Sequence, residues 1–186
     1  MIQISYDIAR ESMKPGDVIA FGGEGFVSNV IKDATNSPVS HVGVIMQTDL
    51  SDSVFVNQII ESNGKKKGLT GVQVWRMSER LEEYEGSVWW LPMAVEFDKQ
   101  EFVGFCLNQK GKKYDAPQAI GSAIDFVPDQ IENLDKLFCS ELVFAALESA
   151  GVIPPGNASE ATPADIVNLG IYGDVCQLKG VIQEIT

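Results

Sequence analysis

The chain has 186 residues, 45% of them hydrophobic and 22% charged, the size and balance of a single globular domain spanning 1–186. Its net charge of −12 repels a phosphate backbone, and its short basic runs, Lys65 to Lys67 and Lys110 to Lys113, lie beside glycines as solvated turns, so nucleic acid is excluded as a partner. No apolar run is long enough to cross a bilayer. Met1 to Lys14 also lacks the basic start and apolar middle of a signal peptide, which places the chain as written in the cytoplasm unless a leader has been removed.

In chain order, Lys14-Pro15-Gly16-Asp17 is a turn leading into a short strand, Val18 to Phe21. Gly22-Gly23-Glu24-Gly25 lacks the Lys-Ser/Thr ending and the GxGxxG spacing of phosphate loops and reads as a flexible turn. Phe26 to Ala34 has helical spacing, broken by Thr35-Asn36-Ser37-Pro38. Val39 to Thr48 and Val54 to Glu61 alternate and are rich in β-branched residues. With Asp49-Leu50-Ser51-Asp52 between them they form an antiparallel hairpin. Val72 to Arg76 and Ser87 to Met93 are further strands, flanking a polar helical turn at Met77 to Tyr84. Strand following strand without long crossover helices predicts an antiparallel sheet or half-barrel.

The last third is helical. Lys99 to Gln109 turns Phe102, Val103, Phe105 and Cys106 inward, and Ala116 to Ile124 is a second helix. Cys139 to Ala150 is the clearest of all: Leu142, Val143, Ala146, Leu147 and Ala150 fall on one stripe, ended by Gly151. Thr162-Pro163 is a helix start leading into Ala164 to Leu169. Val175 to Ile185 is read as a closing strand pair. The class is α+β, a sheet packed against helices.

Three cysteines, Cys106, Cys139 and Cys176, are too few and too odd for a disulfide framework, and no CxxC pair suggests zinc. The simplest reading of any cysteine is a small buried apolar residue, and it is kept for Cys106 and Cys176. Cys139 differs because it stands where the strongest helix begins, where unpaired N–H groups and the helix dipole favour a thiolate. His41, the only histidine, stands at a strand start in Ser40-His41-Val42-Gly43-Val44. A register symmetric about Leu50-Ser51 pairs position 41 with 60 or 61, which puts Glu61 across the ladder from the imidazole. Taken singly, each residue has a structural explanation: a turn histidine, a solvated strand end, a core cysteine. Three coincidences together favour nucleophile, base and orienting acid.

Phe138-Cys139-Ser140-Glu141-Leu142-Val143 resembles the Asp-Cys-Ser-Gly-Leu-Val signature of the NlpC-type cell-wall peptidases, and Tyr114 matches the tyrosine upstream of their cysteine. In those enzymes the histidine follows the cysteine. Here it precedes it, and with Gly16-Asp17-Val18-Ile19 and Thr162-Pro163-Ala164-Asp165-Ile166 that order resembles the circularly permuted, YiiX/YaeF-like branch of papain-fold amidases and lipid-active relatives. The resemblance spans Gly16 to about Leu169. It implies a permuted papain-like fold, a thiolate at Cys139, a base at His41, an orienter at Glu61 and Tyr114 beside the oxyanion, with no metal or organic cofactor. Glu141 stands where the cell-wall enzymes carry a small glycine, a change expected to alter the substrate cleft.

The expected activity is hydrolysis or acyl transfer at an amide or ester through a Cys139 acyl-enzyme. A cell-wall peptide and an acyl lipid or N-acyl amide are both open as substrates, as is the oligomeric state; stable membrane insertion is not expected. The alternative is a non-enzymatic binding module whose cleft only holds a ligand.

Overall fold

The computed structural model of the protein describes residues 1–51, 54–66, 68–113 and 138–185. In chain order the elements are β1 (Ile2–Gln3), α1 (Tyr6–Ala9), β2 (Val18–Gly22), α2 (Phe26–Thr35), β3 (His41–Ser51), β4 (Val54–Lys66), β5 (Leu69–Arg76), α3 (Met77–Glu83), β6 (Ser87–Leu91), α4 (Lys99–Gln109), α5 (Cys139–Ser149), α6 (Pro163–Val167) and β7 (Cys176–Lys179). A 3₁₀ turn, Ala158–Glu160, joins the last two helices. The helix predicted at Ala116 to Ile124 lies outside the described residues.

The described strands form one seven-stranded sheet in the order β1-β7-β6-β2-β3-β4-β5. Its neighbours pair antiparallel except β1 with β7, which run parallel. The α+β class, with a sheet packed against helices, is what the alternation of the first half and the stripes of the last third predict.

Alternation decides the layers. On one face of the sheet Val18, Ala20, Val42, Val44 and Ile60 pack with Phe102 and Cys106 of α4 and with Leu142, Val143, Ala146 and Leu147 of α5. On the other, Ile19, Phe21, Ile45, Ile59 and Val88 pack with Ala9 of α1 and with Met77 and Leu81 of α3. All five residues of β2 are therefore buried, because a central strand covered on both faces has no solvent side. At its start the buried carboxylate of Asp17 accepts from Lys14 N (2.9 Å), Trp90 Nε1 (2.8 Å) and Met93 N (2.9 Å), which fastens the Lys14-Asp17 turn to β6.

Two expectations need correction. The region Val175 to Ile185 forms one strand, β7, and not a pair. Gly180 turns the chain at φ +94°, and the tail is then held by side chains: Trp89 Nε1 donates to the Gln183 carbonyl at 3.0 Å and Gln183 N to Oε1 of Gln177 at 2.9 Å. Cys176 is partly exposed and not a core residue. The short β1 and α1 carry no pattern long enough to read from sequence.

Candidate active site

His41 is the first residue of β3 and pairs with Phe21 of β2. It therefore shares the α3 face of the sheet with Phe21, whose ring lies 5.4 Å from the imidazole. Nε2 of His41 is 2.7 Å from Oε2 of Glu61. An ionised carboxylate can only accept, so Nε2 carries the proton and Nδ1 is left for the other neighbour. That neighbour is Cys139, whose sulfur interacts electrostatically with the imidazole. Cys139 belongs to the opposite layer of the core. The two meet because one begins β3 and the other begins α5, so the contact is made around the end of the strand.

Glu61 arrives by a register other than the predicted one. The hairpin is tighter than the turn residues suggest, with Ser51 opposite Val54, and an irregularity between Ile45 and Gln47 brings Val44 opposite Ile60. Carried one step on, that pairing sets Glu61 opposite Gly43, not His41. The contact survives because residues 41 and 43 share a face and the diagonal neighbour is within reach of a long side chain. Gly43 keeps the path open: a Cβ there would lie 3.1 Å from Glu61 Cβ and 3.0 Å from both Ile60 O and Ile59 Cδ1. Gly43→Ala is expected to cost about 1–3 kcal/mol by overpacking and to loosen the Glu61–His41 bond, read as a lower urea midpoint and a shifted His41 ring resonance.

A residue that the sequence reading missed completes the arrangement. Arg80 Nε lies 2.6 Å from Oε1 of Glu61, and its guanidinium carbon sits 4.4 Å from the Phe21 ring centroid and 4.7 Å from that of Tyr84. Arg80 is 5% exposed and Glu61 fully buried. The signal was present in the spacing: Met77, Arg80 and Leu81 occupy i, i+3 and i+4 of α3 and are its buried residues, so the arginine stands on an apolar stripe. Tyr84 follows at the end of α3 and packs its ring on the guanidinium of Arg80.

Cys139 is the first residue of α5, after an extended Phe138 with no side-chain cap. Its backbone N–H is among those without an intrahelical acceptor. Glu141, expected to alter the cleft, instead turns back on its own helix, where its buried carboxylate accepts from Phe138 N at 2.9 Å. Ser140 donates its hydroxyl to the Ala161 carbonyl. Tyr114 lies outside the described residues.

The electrostatics follow from this packing. Burial by itself would lower the His41 pKa. The negative charge of Cys139, then the hydrogen bond and charge of Glu61, outweigh it and raise the imidazole to about 9. Burial likewise would raise Glu61, but His41 and Arg80 bring it down to about 2. Burial lifts the Tyr84 hydroxyl to about 12, so it is a neutral donor. His41, 17% exposed at its side chain, opens on a cleft of about 200 Å³ that Val27, Ser28, Ser40, Tyr84 and Phe138 help to line. Cys139 has no exposed surface.

No family model matches the chain, and no curated protein sequence matches it. Among solved structures it is similar to the metalloprotein yiiX from Escherichia coli O157:H7, at 18% identity and a TM-score of 0.55, over 76% of this chain and 68% of that one. The likeness shows a shared yiiX-like fold. Among the described residues no group of three or more His, Cys, Asp and Glu side chains is placed to hold a metal ion, and both oxygens of Glu61 are already engaged by His41 and Arg80. No described helix is long and apolar enough to cross a membrane.

Proposed function

We propose that the chain is a thiol hydrolase or acyltransferase of the circularly permuted papain-like kind, acting on an amide or ester through Cys139. One observation supports this most: the single histidine of the chain is bonded to a buried carboxylate and lies within electrostatic reach of a cysteine at a helix start. That is the order nucleophile, base, orienter.

In this scheme the Cys139 thiolate forms a bond to the substrate carbonyl carbon as the carbonyl electron pair moves onto oxygen, where the Cys139 backbone N–H donates. The intermediate collapses, the bond to the leaving nitrogen or oxygen breaks, and the proton on His41 passes to the leaving group. Water then gives a proton to His41 as it attacks the thioester, and the thiolate is released. An amine or alcohol in place of water completes an acyl transfer. Glu61 keeps the imidazole turned with Nδ1 toward the sulfur throughout. The cleft wall mixes apolar Val27 and Phe138 with the hydroxyls of Ser28, Ser40 and Tyr84, so small peptides, acyl lipids and N-acyl amides are the substrate classes proposed.

One observation favours the second reading, a binding module without catalysis: Cys139 has no exposed surface. Iodoacetamide labelling followed residue by residue in a mass spectrometer separates the two. Exposure alone ranks Cys176 first, since Cys106 is buried and burial pushes its thiol up to about 12. For Cys176, burial and then Asp174 also push the thiol up, which slows it. The hydrolase reading expects Cys139 to label fastest at pH 7 despite its burial, and more slowly in His41→Ala. Labelling of Cys176 alone, with Cys139 inert in both proteins, sinks it.

A further inference from the structure

Each oxygen of Glu61 meets a different cation. Oε2 takes His41 Nε2–H at 2.7 Å and Oε1 takes Arg80 Nε at 2.6 Å. Each contact removes a different freedom. Phe21 and Tyr84, whose rings are 4.9 Å apart, hold the guanidinium of Arg80. The guanidinium fixes the rotation of the carboxylate, and the carboxylate fixes the ring of His41. Phe21 also packs 5.4 Å from that ring, so one aromatic braces both ends of the chain of contacts. The charges point the same way. With Cys139 as thiolate and His41 as imidazolium, the four groups alternate in sign and sum to zero. Without Arg80 the buried set is left with a net negative charge, and the carboxylate is the group that relieves it by taking up a proton.

We infer that Arg80 is a positioning residue for the thiol chemistry: by occupying one oxygen of Glu61 while packed against the Phe21 and Tyr84 rings, it holds the other oxygen on Nε2 of His41 and leaves Nδ1 to Cys139. This rests on the hydrolase reading, and it assigns a fourth member to the Cys139–His41–Glu61 set. Arg80 also helps to line the cleft beside His41, but its action on the thiol chemistry runs through Glu61. A lysine at this position keeps the charge but loses the planar fork that stacks on the rings.

The test uses the full chain and two readouts, the ¹⁵N resonances of the imidazole, unambiguous because the chain has one histidine, and the pH dependence of Cys139 alkylation by iodoacetamide. In the wild type no Glu61-linked inflection is expected between pH 4 and 7, since that carboxyl titrates at about 2. In Arg80→Met an inflection appears inside that window, and below it Cys139 labels about ten- to a hundredfold more slowly, the scale of one lost hydrogen bond to a charged group. Arg80→Lys recovers part of the rate. The double variant Glu61→Leu/Arg80→Met labels as Glu61→Leu does alone, because no oxygen remains for Arg80 to act through. It also removes both buried charges together, so it decides the matter even where Arg80→Met does not fold. A wild-type profile in Arg80→Met, or a double variant that differs from Glu61→Leu, overturns the role of Arg80 while a slowed His41→Ala leaves the hydrolase reading standing. Cys139 labelling unchanged in His41→Ala overturns both.

Discussion

Glu61→Ala is expected to cost about 3–5 kcal/mol of folding stability, the scale on which a buried ion pair is broken by removal of one partner. The reason lies in what stays behind. Arg80 is 5% exposed, and its Nε would face a vacated space in place of Oε1. Replacing both partners with apolar residues, Glu61→Leu with Arg80→Met, is expected to cost less than Glu61→Ala alone, because no uncompensated charge is then buried. Urea denaturation of the three proteins measures this, and a double variant less stable than Glu61→Ala would contradict it. The loss also depends on pH, with a sign fixed by the two shifts. The folded pKa of His41 is raised from 6.5 to about 9, so its stabilisation is complete below 6.5 and lost as pH rises through 9. That of Glu61 is lowered from 4.5 to about 2, so its stabilisation is complete above 4.5 and lost as pH falls through 2. The gap between wild type and Glu61→Ala is therefore widest from pH 4.5 to 6.5 and narrows on both sides.

The parts of this site differ in how far the sequence exposes them, and each difference has a physical cause. The place of Cys139 is legible because an apolar stripe from Leu142 to Ala150 locates a helix, and a helix locates its own first residue. His41 is legible because it is unique and opens an alternating strand. Glu61 is legible only in part. Side-chain direction in a strand has a period of two, so an error of two in register kept it on the right face while giving it the wrong partner, Gly43. The exact register depended on a turn tighter than its polar residues suggest and on an irregularity beside Met46, and neither leaves a mark in composition. Arg80 went unread because a charge on a short polar helix is ordinarily solvated. Only its place between Met77 and Leu81 on the stripe set it apart. The C-terminal tail does not form the second strand expected of it because its backbone is held by the Gln177 and Trp89 side chains and not by a ladder.

Cys139→Ser is expected to lower turnover of any acyl substrate by about a thousandfold or more, the range seen when a nucleophile is removed from a preorganised site. The swap keeps the side chain's shape but removes the sulfur that, with Glu61, raises His41 to about 9. Two chromogenic substrates divide the roles of the pair. A p-nitrophenyl ester expels a stable anion that needs no proton, so its hydrolysis by the wild type should show no fall as pH rises through 9. A p-nitroanilide expels a nitrogen that must be protonated as it leaves, so its hydrolysis should decline across that same pH as the imidazolium is lost. His41→Gln should abolish the anilide reaction more completely than the ester reaction, and Cys139→Ser should abolish both. Equal pH profiles for the two substrates would mean that His41 does not deliver the proton. Ester turnover surviving in Cys139→Ser would mean that the sulfur is not the nucleophile.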